Sequence, residues 1–215
     1  MKRYIFPLIL MGLFMGCSLK TTQKYKYRVD ASNSFDSYTN YYLRGETRLA
    51  ATSLKRAIQE AKQGYDLKSL SKIYLGECAL HKAVLIDDKC ENYIKIKHLL
   101  KKNTLQNYYF LIEGEIGKIN IDKLQPHYRD FIGYLQKKNY KNAFNAIKEM
   151  KSVPSKLIGA SIMKDWLSKQ DILYIINEAS SMGYKKAAKR WYEFLKTKSG
   201  QKERQDIDNK IKIFN

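Results

Sequence analysis

The chain has 215 residues, 44% hydrophobic and 13% aromatic, with 40 lysines and arginines against 21 acids and a formal charge of +19. That apolar content excludes a disordered tail. Eleven glycines and 3 prolines exclude a collagen-like or low-complexity chain, and 3 cysteines exclude a disulfide-framed miniprotein. One ordinary domain with a short appendage fits the size. Of the basic residues 32 are Lys and 8 are Arg. Lys, Ile, Asn and Tyr are all frequent, which an AT-rich coding sequence produces without selection for a partner. A lysine surplus of this kind suits a surface that attracts polyanions better than one that reads bases.

Met1, Lys2 and Arg3 form a positive start, and residues 4–15 an apolar run of twelve. As a helix that run covers about 18 Å, too short for a hydrocarbon core of about 30 Å, so it reads as a signal peptide. Gly16-Cys17-Ser18 follows. A small residue directly before a Cys resembles the lipobox of bacterial lipoproteins, with one departure: Phe14 stands where the lipobox usually carries Leu. The resemblance implies cleavage after residue 16, lipidation of Cys17, a mature charge of +17 and, with Ser18 next, the outer membrane facing the periplasm. Residues 18–33 are polar, lack an apolar period and hold no acid before Asp30. They read as a flexible basic tether of roughly 20–25 Å. Its Lys20, Lys24, Lys26 and Arg28 either lie against anionic headgroups, worth up to about 1 kcal/mol each, or are simply solvated.

From residue 34 the pattern is helical throughout, and the expected fold is all-α with nine to eleven helices. Leu49, Ala50, Leu54, Ala57, Ile58 and Ala61 stripe one helix, ended by Gly64; Asp66 caps the next, which carries Leu67, Leu70, Ile73 and Leu75. Further stripes run through Ile94 to Leu100, Tyr108 to Ile116, Pro126 to Leu135 and Ala143 to Met150. Pro154-Ser155 opens a helix with Leu157, Ile158, Ile162, Trp166 and Leu167 inward. Ile172 to Ala179, Ala187 to Leu195 and Glu203 to Phe214 complete the series. The links are short (Gln63-Gly64-Tyr65, Lys138-Asn139, Met182-Gly183), which makes antiparallel pairs, and repeated pairs stack into a solenoid. Tyr41, Gly45, Ala50, Leu54 and Ala57 stand at intervals that resemble the tetratricopeptide repeat. Tyr140-Ala143-Ile147 and Tyr184-Ala187-Trp191 repeat the phrase 44 residues apart, not 34, and the last also resembles Sel1-like repeats. An irregular helical bundle is the competing architecture.

Little in the sequence points to catalysis. Cys78 and Cys90 in an oxidising envelope are either a disulfide or two small buried hydrophobes, and their unequal distances from the Ile86-Asp87-Asp88 break misalign them in an ideal hairpin. Cys78, His81, Cys90 and His98 are formally four zinc ligands, but their spacing matches no metal motif, so no metal and no cofactor is implied. Glu113 and Glu115, two apart on a helix, point to different sides. The catalytic Glu-Ser and Gly-Leu-Met-Gln phrases of lytic transglycosylases are absent, as are nucleophile-elbow, zincin and phosphate-loop motifs. The chain is therefore read as no enzyme.

Tyr41-Tyr42, Tyr108-Tyr109 and Trp191-Tyr192 are adjacent pairs of which at most one member faces the core. Tyr42, Tyr109 and Tyr192, with Lys185, Lys186 and Arg190, are the candidate binding surface; packing between helix pairs uses Tyr in the same way. Lys101-Lys102, Lys137-Lys138 and Lys185-Lys186 are each ordinary solvated faces. The expectation is a signal over 1–16, a lipidated Cys17 and tether over 17–33, and a helical repeat domain over 34–215 that docks an envelope protein. Its layout is similar to the helical-repeat lipoproteins of outer-membrane barrel assembly and pilus assembly. The alternative is a basic module that holds an anionic polymer such as peptidoglycan, lipopolysaccharide or DNA. No small-molecule substrate is implied.

Overall fold

The structure, a computed structural model, describes residues 18–100 and 105–214; the signal segment, Cys17 and the Lys101-Lys102 pair lie outside them. Among the described residues the fold is all-α, with eleven α-helices and no strand. They are α1 (Ser18–Arg44), α2 (Thr47–Gln63), α3 (Leu67–Ala83), α4 (Glu91–Ile96), α5 (Gln106–Ile112), α6 (Pro126–Gln136), α7 (Tyr140–Lys148), α8 (Val153–Ile162), α9 (Lys169–Ser181), α10 (Lys185–Thr197) and α11 (Gln201–Lys212). Four short 3-10 turns fill links between them.

Antiparallel pairs stack on one another: α1 with α2, α6 with α7 and α9 with α10. The small-then-bulky phrase falls on the second helix of each pair, burying Ala50 and Ala57, Ala143 and Ile147, and Ala187 and Trp191. Stack neighbours depart from chain order, since α3 lies against α8 and α1 against α10.

One turn recurs six times. The N–H groups of Glu46, Asp66, Ile86, Glu115, Asn139 and Tyr184 each reach back five residues to a helix-end carbonyl, at 2.9–3.0 Å. The residue before each of them is left-handed: Gly45, Tyr65, Leu85, Gly114, Lys138 and Gly183, with φ between 48° and 87°. This is the Schellman closure, which satisfies carbonyls orphaned by the helix end and reverses the chain. Three of the six do so without glycine. At the α2–α3 turn the glycine stands one place earlier for another reason: a Cβ on Gly64 would come within 3.0 Å of the Tyr27 Cβ.

The expected flexible tether is not observed: α1 begins at Ser18 and runs unbroken to Arg44. Its packing face is Tyr27, Ala31, Ser34 and Tyr38, spaced four, three and four residues, with Ala31, Ser34 and Tyr38 buried. A stripe of Tyr, Ala and Ser has helical period but little aliphatic content, so hydropathy alone misses it. Arg28 is not free for headgroups, because its Nε donates to Asp66 at 2.7 Å.

Helix α3 is fixed at both ends. Asp66 caps its start, accepting from the Ser69 N–H at 3.1 Å and hydroxyl at 2.9 Å while holding Arg28 of α1. At its end the Ala83 carbonyl accepts from the Trp191 indole N–H of α10 at 3.0 Å, in a buried contact spanning 108 residues of sequence. Midway, Gly76 lets the Phe35 ring of α1 lie against the α3 backbone; a Cβ there would meet Phe35 Cζ at 2.4 Å. Between α8 and α9 the buried Lys156 donates to the Tyr174 hydroxyl and to Glu178, both at 2.9 Å.

Trp166 does not face inward. Helix α8 ends at Ile162, and the Ser168/Asp171 capping box starts α9. Lys198 binds the carbonyls of Lys164 and Asp165 in between, and Trp166 is left 52% exposed while Leu167 is buried.

Gly76→Ala is expected to cost about 1–3 kcal/mol through overpacking on Phe35, and Lys138→Gly to gain about 1 kcal/mol by relieving a left-handed residue; urea unfolding measures both. Burial raises the Asp66 carboxyl pKa, but its bonds to Arg28 and Ser69 outweigh burial and hold it below the ordinary 3.8. A depressed carboxylate stabilises above its unfolded pKa, so Asp66→Ala is expected to cost about 1–2 kcal/mol at neutral pH. The gap to the parent chain closes as the pH falls below 3.8, which urea midpoints at pH 7 and pH 3 would show.

Candidate functional site

The C-terminal ends of α3, α5, α6 and α8 meet at one end of the stack, and a furrow runs across them. Helix C-termini present carbonyls and a partial negative charge, which Lys82, Lys138 and Lys164 along the furrow complement.

The furrow begins beside the link from α3 to α4. Cys78 and Cys90 are joined there in a buried disulfide with 5.2 Å between their Cα atoms. An ideal hairpin would misalign them, but this link is not one: Leu85 and Cys90 are both left-handed, at φ 60° and 52°, and fold the chain back over α3. Asp88 fixes the fold-back, accepting from the Cys90 N–H at 2.7 Å with one oxygen and meeting His81 Nδ1 with the other. The Tyr42 ring lies 5.2 Å from the His81 ring. Burial holds the Tyr42 and Tyr38 hydroxyls well above the usual phenol range.

Around the disulfide is a cleft of about 390 Å³ whose wall carries Glu77, Asp87, Asp88 and Glu91. Acids predominate there, in a chain with about two cations per acid. Glu77 is largely buried, and burial pushes its carboxyl above the ordinary 4.5 despite the nearby His81 and a hydrogen bond from Asn92. Asp87 is exposed, and hydrogen bonds from Lys82 and Lys89 hold its carboxyl at about 2.

Asp87 also borders a second cleft of about 430 Å³, floored by Leu85, Ile112 and Ile162 and edged by Lys82, Glu113 and Lys164. Gly114 and Ile162 pass into a third, of about 550 Å³. Its far wall is Tyr140 stacked on Trp166, with ring centroids 4.8 Å apart and planes 10° from parallel. Gly114 and Gly117 leave the opposite rim bare: a Cβ on either would meet nothing within 4 Å.

The structure brings together only part of the candidate binding surface. Lys186 sits 3.5 Å above the Tyr42 ring, and the charge of Arg190 reaches the Tyr42 hydroxyl. Burial, then Arg190, lowers the Lys186 ammonium below its usual range. Lys185 is exposed at the start of α10, and Arg190 pairs with Glu193 at 3.0 Å. Tyr109 packs against Tyr93 and Phe110 under Lys97, and Tyr192 against Phe214 beside α11. Both serve helix packing. In the formal zinc set the two sulfurs bond each other and His81 Nδ1 is taken by Asp88.

Trp166, Glu77 and the His81–Asp88 pair were missed by sequence reasoning. Trp166 carried a misleading signal, its helical spacing from Ile162. The others carried none, because the non-helical fold-back of the 84–90 link, and not any helical period, brings Asp88 onto His81 and Asn92 onto Glu77. Set beside known proteins, the chain matches no protein family, no curated protein and no solved structure.

An acid whose folded pKa is raised weakens the fold as the pH rises past its unfolded value. Glu77→Gln is therefore expected to raise the melting temperature at pH 7, with the gain vanishing below 4.5, where the carboxyl is protonated folded or unfolded. Melting curves at pH 7 and pH 4 check this; an equal or lower melting temperature at pH 7 would contradict it.

Proposed function

We propose that the protein is a lipid-anchored envelope scaffold with no catalytic role, held by Cys17 at the outer membrane and facing the periplasm. Its furrow takes an extended segment of a partner protein. The furrow carries this reading: three open clefts each share a wall with the next, with a half-exposed Trp stacked on a partly buried Tyr at one end and a carboxylate cluster at the other. A line of shallow clefts suits a peptide chain better than a compact metabolite, which needs one enclosing pocket. An exposed aromatic beside a cleft is the usual anchor of a protein interface.

One observation supports the address: the Cys78–Cys90 disulfide suits an oxidising compartment. Among the described residues no helix is long and apolar enough to cross a membrane.

A second reading has its own observation. Arg44, Lys185, Lys186 and Arg190 gather where α1 meets α10, a basic corner suited to an anionic envelope polymer. Binding there would weaken steeply with salt, whereas a furrow-bound peptide would be far less sensitive.

Photo-crosslinking in cells decides between them. A photoreactive residue at Leu85 or Ile162 is expected to give one protein adduct of constant added mass, and one at the exposed Ile213 none. Trp166→Ala should cut the adduct at least about tenfold while leaving the melting temperature nearly unchanged, because Trp166 is half exposed. Equal labelling from all three positions, or none, would reject the scaffold reading.

A further inference from the structure

The α2–α3 turn carries a residue that the fold does not ask for. Tyr65 is left-handed, with φ 48°, where glycine or asparagine fits without strain. It is also 91% exposed, so its ring gains nothing from packing. Of the other non-glycine left-handed residues, Leu85 packs on the core, Cys90 closes the disulfide and Lys138 carries an ordinary solvated cation; Tyr65 differs from all three in presenting a large ring to solvent. A strained backbone that presents a bare aromatic ring points to a contact outside the chain.

The placement of Tyr65 says what that contact is. Gly64 lies against Tyr27 and Asp66 binds Arg28, so the turn sits beside the early part of α1. The furrow lies at the opposite end of α3, about 25 Å away for a helix of 17 residues. Tyr65 is therefore at the end where the chain continues toward residue 17. Lys26, Lys62 and Lys68 are exposed around it, whereas Asp66 is held by Arg28 and Glu60 by Arg56; Asp30 lies one turn further along α1. A tyrosine among lysines is the composition of a bilayer interface, with the ring at headgroup depth and the ammonium groups on lipid phosphates.

We infer that Tyr65 and its flanking lysines Lys62 and Lys68 form a tip that rests on an anionic bilayer surface. This inference depends on the proposed lipid anchor at Cys17. It also sets the stance of the molecule. From Ser18 to Arg28 α1 rises about 15 Å, and α2 runs about 10 Å to one side. Upright, α1 would hold Tyr65 clear of a headgroup layer of about 5–8 Å. A tilt of about 40° toward the α2–α3 side brings the ring down into that layer. The furrow then faces away from the membrane.

The test uses the full lipidated chain in proteoliposomes of phosphatidylglycerol and phosphatidylethanolamine. With Cys17 acylated and Cys78–Cys90 bridged, a Tyr65→Cys substitution supplies a single thiol for an environment-sensitive dye. Met182→Cys, 46% exposed at the other end of the stack, is the control. The dye at 65 is expected to shift to the blue and to lose most of its emission to quenchers in the headgroup layer; at 182 it should do neither. With the dye moved to a Gln63→Cys thiol, Tyr65→Gly is expected to diminish the quenching without loss of thermal stability, since glycine suits the backbone there. A chain that floats with the vesicles while the dye at 65 behaves as at 182 overturns the tip and leaves the anchor standing. A chain that never floats overturns both.

Discussion

The hydrogen bond from the Trp191 indole to the Ala83 carbonyl joins two parts of the chain that sequence order would keep apart. It satisfies the Ala83 carbonyl at the end of α3, ties α10 to that end and leaves Trp191 with no exposed surface. A buried N–H without this acceptor would cost about 1–3 kcal/mol, so ring and carbonyl must be placed together. The link that leaves Ala83 then carries Leu85, Asp88 and Cys90, whose left-handed backbone, His81 contact and disulfide build the first cleft. At the other end of α3 the Arg28–Asp66 bond ties the same helix to α1. One helix, fixed at both ends by partners from opposite ends of the chain, sets the distance between everything near α1's start and everything near the furrow.

This makes α3 a spacer as well as a core element. In the proposed reading one end faces lipid and the other faces a partner, and a rigid spacer keeps them about 25 Å apart. The charge distribution fits two ends with different tasks. Lysines surround the α2–α3 turn, and carboxylates crowd the cleft beside the disulfide. The +19 of the chain is thus not one field: it includes a region of the opposite sign where Glu77 is held half-desolvated.

The sequence showed the helix pairs clearly because their signals are local. Asp66 as a cap, Gly45 and Gly183 as turns, and the small-then-bulky phrase of each second helix all act within a few residues. Helix α1 escaped because its buried stripe is Tyr, Ala and Ser, which helical geometry can bury but hydropathy does not mark. Trp166 was misplaced because Lys198, more than thirty residues away, holds the carbonyls where α8 would have continued. The furrow was illegible for a deeper reason. Its walls come from residues between Tyr74 and Trp166, and only the joint ending of four helices brings them together. Tyr42, Lys186 and Arg190 were found together because composition marked them; Tyr109 and Tyr192 share that composition and serve packing instead.

The claim on which the rest depends is that the Trp191–Ala83 contact makes the end of α3 and the C-terminal helices one cooperative unit. Native-state hydrogen exchange on Trp191→Phe, which keeps an aromatic ring and removes the donor, tests it most directly. The account predicts that the amides of α10, the end of α3 and the 84–90 link lose protection together and by the same factor. If α10 alone loosens while the link and the furrow keep their protection, the contact is local and the account is wrong.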